Sequence, residues 1–155
     1  MKKILILMCV MAAVLTSCEG PAGPMGPAGE DGEALNWKIL TYTVHQNDWQ
    51  LDGNADALNS RYIYEFDESA LTQFIYEEGV VSGYMEQTLN NNVNVLTPLP
   101  YVIPVGEENG GNEDLWSEYY TFDYTTGSIA FYAYFTDFYT SNKPPTCTFR
   151  IVLNW

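Results

Sequence analysis

The chain has 155 residues, of which 20 are acidic, six are Lys or Arg and one is histidine, and its formal net charge is −14. This length fits a single domain with a hydrophobic core. The charge argues against nucleic-acid binding, because neutralising phosphates supplies most of a protein's affinity for nucleic acids.

Residues 1–17 are typical of a secretory signal peptide. Lys2 and Lys3 give a positive start, and an apolar run follows from Ile4 to Leu15. The run is shorter than the roughly 20 apolar residues that a membrane-spanning helix needs. We therefore predict that this leader is removed after export.

The leader ends in Leu15-Thr16-Ser17-Cys18, which resembles the lipobox of bacterial lipoproteins. In that family the cysteine thiol receives a diacylglycerol, the leader is cut off just before it, and the new amino terminus is acylated. The resemblance implies lipid attachment at Cys18 and anchoring to the outer membrane of a bacterial cell envelope, facing the periplasm or the exterior. Several acyl chains hold stably, because each buried CH₂ contributes about 0.8 kcal/mol. The alternative is a secreted protein without lipid.

Removal of the leader makes the chain more acidic. Twenty acidic residues then stand against four cations, which gives a formal net charge of −16, and those cations are Lys38, Arg61, Lys143 and Arg150. An anionic bilayer surface repels such a domain, so the lipid must supply the attachment to the membrane. We interpret the acidity as a source of solubility.

Only one cysteine is left for the folded domain in this interpretation. Cys9 leaves with the leader and Cys18 carries the lipid, so Cys147 has no partner for a disulfide within the chain. Cys147 alternates with Phe149 and Ile151 along a strand-like segment. We predict that it is a small buried apolar residue.

Residues 18–35 form the lipidated cysteine and a spacer. Glycine recurs at positions 20, 23, 26, 29 and 32, which is a Gly-X-Y repeat of the collagen type. We predict a monomeric, extended, polyproline-like spacer over residues 19–33, about 45 Å long at ~3.1 Å per residue. The alternative is weak trimerisation through this segment, favoured by a high local concentration in the membrane.

Residues 36–155 read as strands separated by turns, with one short helix near 69–78. The predicted strands are Trp37–Val44, Trp49–Leu51, Arg61–Phe66, Val80–Gln87, Leu99–Val105, Glu118–Tyr124, Ser128–Thr136 and Thr146–Trp155. Prolines predict that the segment Leu99–Val105 is an edge strand or an irregular one. Ser69 is the predicted cap of the helix and Gly79 its predicted end. This pattern predicts an all-β domain, an antiparallel β-sandwich of immunoglobulin-like or jelly-roll type.

The whole chain resembles a group of small Bacteroidota lipoproteins. The resemblance lies in the lipobox cysteine, the brief Gly-Pro-x-Gly stalk that ends in Glu30-Asp31-Gly32, and one β domain that closes on the strand Phe149–Leu153. The resemblance implies a location in the cell envelope rather than a biochemical activity.

Two arrangements of residues that would suit an enzyme are weak. His45 is the only histidine, its neighbours are typical of a turn, and no nucleophile motif accompanies it. The pair Glu77-Glu78 would suit glycoside hydrolysis, but acidic residues are so frequent that a pair carries no information. We predict no catalytic residue and no cofactor.

Two acidic segments invite comparison with calcium sites. Asp52-Gly-Asn-Ala-Asp56 places oxygen ligands at the first, third and fifth positions of a calcium loop, but Ala57 and Ile63 replace the glycine and glutamate that such a loop needs. Glu107–Asp114 reads as a second acidic, flexible loop. We predict a turn and a solvated loop, respectively, and no metal site.

Aromatic residues leave a binding role open. Trp49, Trp116, Tyr119 and Tyr120 lie near predicted loops, where exposed rings stack on sugars or fill protein interfaces. Packing in the core is the alternative, and we favour it. The sequence therefore predicts a non-enzymatic binding or envelope-structural protein. The first alternative is a glycan- or protein-binding accessory module of a surface complex. The second, less favoured alternative is a hydrolase.

Overall fold

The computed structural model describes residues 35–110 and 112–155. The predicted signal peptide, the lipid attachment site Cys18 and the Gly-X-Y repeat lie outside the described residues. Within the described part of the chain, no helix is both long enough and apolar enough to cross a membrane.

The described residues form nine strands, one α-helix and a 3₁₀ turn. In chain order these are β1 (Trp37–Val44), the 3₁₀ turn (Gln46–Asp48), β2 (Gln50–Asp52), β3 (Arg61–Asp67), α1 (Gln73–Glu78), β4 (Val80–Thr88), β5 (Asn94–Pro98), β6 (Tyr101–Asn109), β7 (Asn112–Thr125), β8 (Ser128–Phe135) and β9 (Cys147–Asn154).

The strands make two antiparallel sheets, which confirms the prediction of an all-β sandwich. The four-stranded sheet has the order β1-β9-β4-β5, and the five-stranded sheet has the order β2-β3-β8-β7-β6. β6 carries Pro104 and lies at the edge of its sheet, as its prolines predict. β5 was not predicted; it forms the edge of the other sheet.

The core lies where β9 of one sheet faces β8 of the other. Side chains of β9 alternate strictly between buried and half-buried positions, which is the period of a strand with one face on the core. Phe149 of β9 stacks on Phe131 of β8, with ring centroids 4.2 Å apart and planes 11° from parallel. Each fully buried side chain of this size stabilises the fold by about 1.5–3 kcal/mol.

Cys147 is buried at the start of β9, as the alternation predicts. Its thiol donates a hydrogen bond to the carbonyl oxygen of Pro145 at 3.3 Å. Burial, reinforced by the negative charge of Glu118, raises the pKa of the thiol to about 12. Such a thiol stays protonated near neutral pH and fills space in the core.

Helix α1 begins later than predicted, and the prediction of Ser69 as its cap is wrong. The helix is capped by Thr72, whose hydroxyl accepts a hydrogen bond from the backbone N–H of Ile75 at 3.3 Å. The carboxylate of Glu68 accepts from the N–H of Ala70 at 2.8 Å and holds the preceding residues in a turn. Gly79 ends the helix, as predicted.

Candidate functional site

Trp49 and Tyr120 are core residues, so the interpretation of these aromatics as packing is confirmed for both. The indole N–H of Trp49 donates to the carbonyl oxygen of Pro145 at 3.1 Å. The hydroxyl of Tyr120 donates to Glu118 at 2.8 Å. Burial is the main cause that raises the pKa of Tyr120 above its usual value. Neither ring is available to a ligand.

The candidate enzyme residues do not converge. His45 is exposed and precedes the 3₁₀ turn. Glu77 and Glu78 are exposed on α1, where Glu77 accepts a hydrogen bond from the side-chain amide of Gln73. Across residues 35–110 and 112–155, no group of three or more His, Cys, Asp or Glu side chains is arranged to hold a metal ion.

The segment Asp52–Asp56 is a turn, as predicted, and its carboxylates have other partners. Asp52 forms an ion pair with the Nε of Arg61 at 2.8 Å. Asp56 accepts hydrogen bonds from the N–H and the hydroxyl of Thr140, at 2.8 and 2.9 Å. The bonds between Asp56 and Thr140 join the β2–β3 loop to the β8–β9 loop.

The prediction of a loop over Glu107–Asp114 is wrong, because this segment is the end of a β-hairpin. β6 and β7 pair with Glu107 opposite Asp114 and with Asn109 opposite Asn112. Gly110 has a φ of +60° at the turn, a conformation that costs glycine no steric energy. Clustered Asn, Gly and acidic residues are typical of a loop, and this pattern predicted one. The two strands of the hairpin are held by hydrogen bonds between their backbones, which form without apolar side chains.

The end of this hairpin extends past the neighbouring strand. β7 pairs with β8 over Glu118–Thr125, and Ser117 is bonded to Thr136 just after β8, whereas residues 112–116 of β7 pair with β6 alone. We call residues 105–110 and 112–116 the projecting arm. The side chains of Glu107, Asp114 and Trp116 lie on the face of the arm that continues the inner face of the sheet, since β-strand side chains alternate.

The β8–β9 loop, residues 136–146, faces the arm and is held in place by hydrogen bonds. The ammonium group of Lys143 donates to the backbone oxygens of Asn47 at 3.0 Å and Trp49 at 2.6 Å. Thr140 is bonded to Asp56 as described above, and its carbonyl oxygen accepts from the hydroxyl of Tyr62. The loop is therefore a fixed wall.

A groove of about 660 Å³ lies between the arm and this loop. That volume is within the usual range for small-ligand sites. Its lining residues include two aromatics, three carboxylates and an amide: Glu107, Asp114, Leu115, Trp116, Asp137, Tyr139 and Asn142. A narrower recess of about 140 Å³ continues past Trp116 toward Glu118 and Phe135.

Strained backbone occurs in the wall of the groove. Phe138 has a φ of +58°, a left-handed conformation that costs an L-residue roughly 1–2 kcal/mol. It lies between Asp137 and Tyr139, and the side chain of Asp137 accepts from the N–H of Tyr139 at 3.1 Å. Strain of this kind concentrates at functional sites, where the surroundings enforce it.

Only part of this site can be predicted from the sequence. Trp116 was among the candidate aromatics, and Glu107 and Asp114 were the ends of the acidic segment. Asp137, Tyr139 and Asn142 were missed, although an exposed aromatic in a turn-rich segment between two strands was the available signal. Tyr119 is half-buried and stacks on Tyr134 with centroids 4.8 Å apart, away from the groove lining.

Comparisons of the chain with protein-family models, with curated proteins and with solved structures found no match.

Proposed function

We propose that this chain is a lipid-anchored protein of the bacterial cell envelope whose acidic β-sandwich binds a ligand in the groove between the projecting arm and the β8–β9 loop. The groove carries the proposal, because aromatic rings, carboxylates and an amide line one concave surface of ligand-binding size. Within the sandwich, an immunoglobulin-like or jelly-roll connectivity stays a prediction.

Binding rather than hydrolysis is proposed for two reasons. The general acid of a glycoside hydrolase needs a desolvated carboxyl group, and Glu107, Asp114 and Asp137 are all exposed. His45 and the pair Glu77-Glu78 are not among the residues that line the groove. The proposed role is therefore that of an accessory module that holds a component of the envelope.

The anchor is proposed from the lipobox-like residues before Cys18 and from the apolar leader. Intact-mass analysis of protein extracted from native membranes tests it. We expect a chain that begins at Cys18 and carries a diacylglycerol and a further acyl group, and a Cys18→Ser variant that is absent from the membrane fraction. A free thiol at Cys18 or an uncut precursor would overturn this part of the proposal.

The groove is tested by probing the full-length protein, held in uncharged detergent micelles, against a glycan array and a peptide array. We expect at least one class of probe to bind the native protein and to be lost from Tyr139→Ala. Tyr76→Ala is the matched control, because Tyr76 on α1 is 49% exposed and Tyr139 is 52% exposed. Binding that is equal in the two variants, or binding of no probe, would contradict a ligand site in the groove.

A further inference from the structure

We infer that the ligand of this groove is a lysine- or arginine-bearing segment of a partner protein. The inference rests on the proposed function and names the chemical class of its ligand. The charges that face the groove, its aromatic rings and its hydrogen-bonded walls support it.

The charges of the groove have one sign. Glu107 and Asp114 of the projecting arm and Asp137 of the facing loop contribute carboxylates, and Glu118 lies in the adjoining recess. Glu107, Asp114 and Asp137 line the same groove, and exposed charges act over about 8 Å, the Debye length at physiological ionic strength. Anionic ligands are therefore repelled.

The cation nearest the groove does not neutralise it. Lys143 lines the narrow recess, but its ammonium group donates to the backbone oxygens of Asn47 and Trp49 and forms no ion pair with a carboxylate of the groove. The other three cations of the described domain are not among the lining residues; Arg61, for example, pairs with Asp52 and covers the ring of Tyr132. A ligand must supply the positive charge.

The aromatic residues favour the same ligand. Trp116 and Tyr139 present rings beside the carboxylates, and a cation over such a ring is attracted by the negative potential of its face. The aliphatic stem of lysine or arginine packs on the ring while the charged end reaches a carboxylate. A neutral sugar also stacks on a ring, but it leaves the repulsion among the three carboxylates uncompensated.

The walls are arranged before a ligand arrives. Hydrogen bonds from Thr140 and Lys143 hold the loop, and pairing with β6 holds the residues of β7 that form the arm. A preformed site loses little freedom when it binds, so an extended peptide with few contacts gains measurable affinity. A separate depression is lined by Gly106, Glu107, Glu108 and Leu115 of the arm.

The test uses the full-length protein in a polyoxyethylene detergent, which carries neither charge nor sugar. Fluorescence anisotropy measures its binding to a pool of random dodecapeptides with three lysines each, to the same pool after lysine acetylation, and to neutral oligosaccharides. We expect the lysine pool to bind about tenfold more tightly than the acetylated pool, with affinity that falls as salt rises from 50 to 500 mM.

Two pairs of variants assign this binding to the groove. Glu107→Gln and Tyr139→Ala should each weaken binding of the lysine pool about three- to tenfold. Their controls, Glu78→Gln and Tyr76→Ala, make the same chemical changes at exposed positions of α1 and should leave binding unchanged. Equal effects in variant and control would show attraction to the acidic domain as a whole and would overturn the inference.

The remaining outcomes separate the inference from the proposed function. Oligosaccharide binding that needs Tyr139, with no preference for lysine over acetyl-lysine, would overturn the cationic ligand and leave the groove as a binding site. Failure of all three kinds of probe to bind would contradict the proposed function as well.

Discussion

Tyr42 and Glu68 form a partly buried hydrogen bond that ties β1 to the turn before α1. The hydroxyl of Tyr42 donates to Glu68 at 2.6 Å, and the same carboxylate accepts from Ala70. Burial, and then the hydrogen bond with Glu68, raise the pKa of Tyr42. For Glu68, burial acts to raise the pKa, but the bonds from Tyr42 and Ala70 and the charge of Lys38 outweigh it, so the pKa of the carboxyl is lowered.

The lowered pKa of Glu68 makes the free energy of unfolding depend on pH in the acid range. The ionised form of Glu68 is favoured in the folded state, so its contribution is present above the unfolded pKa of about 4.3 and is lost as the pH falls through the lower folded value. Tyr42→Phe removes the donor and should make the free energy of unfolding decrease less between pH 7 and pH 3 than in the native protein. Urea denaturation at both pH values measures this.

The control for this prediction is Tyr139→Phe, which removes an exposed hydroxyl. It should leave the acid dependence unchanged. Tyr42→Phe should also cost about 1–2 kcal/mol at pH 7, because it leaves a partly buried carboxylate short of one donor. An acid dependence identical in Tyr42→Phe and the native protein would contradict the lowered pKa of Glu68.

At the scale of single elements, strands with one face on the core could be predicted closely. β1 has the predicted bounds, and β3, β4, β8 and β9 differ from prediction by one residue at most at either end. The alternation of their apolar residues indicates that one face of each strand is buried. β5 and the projecting arm could not be predicted this way, since edge strands with few buried side chains are held by backbone pairing that leaves no periodic signal.

The predicted cap of α1, Ser69, and the observed cap, Thr72, can be compared by mutation. Thr72→Ala should lower the free energy of unfolding by about 1 kcal/mol, because it removes the oxygen that accepts from the N–H of Ile75. Ser69→Ala, at the predicted cap, should change it by less than about 0.5 kcal/mol. Chemical denaturation of the two variants compares them directly, and a larger cost at Ser69 would contradict the observed start of the helix.

Gly83 lets β4 approach the opposite sheet. A Cβ at this position would collide with the ring of Phe122 of β7. Gly83→Ala should therefore destabilise the domain by about 1–3 kcal/mol through overpacking, while Ser82→Ala next to it should have little effect. Adding Phe122→Leu to Gly83→Ala should recover part of the loss, as coupled neighbours do. Strictly additive losses would contradict the collision.

At the scale of the whole molecule, a β-sandwich carries an acidic groove at one end of its five-stranded sheet. Its core joins the two sheets through Phe131 and Phe149, and its strand pattern could be predicted because that core repeats every second residue. The groove could not be predicted, because it forms where residues of the arm meet Asp137 and Tyr139 of a distant loop. Only tertiary structure brings those segments together.

Photo-crosslinking in living cells tests most directly whether this groove holds an envelope component. A photoreactive phenylalanine analogue replaces Tyr139 in the full-length protein, and the same analogue replaces Tyr76 as the control. We predict a discrete crosslinked partner from position 139, whose yield Glu107→Gln lowers, and no crosslinked partner from position 76. The absence of a crosslink from position 139, or the same crosslinks from both positions, would contradict a groove that holds an envelope component.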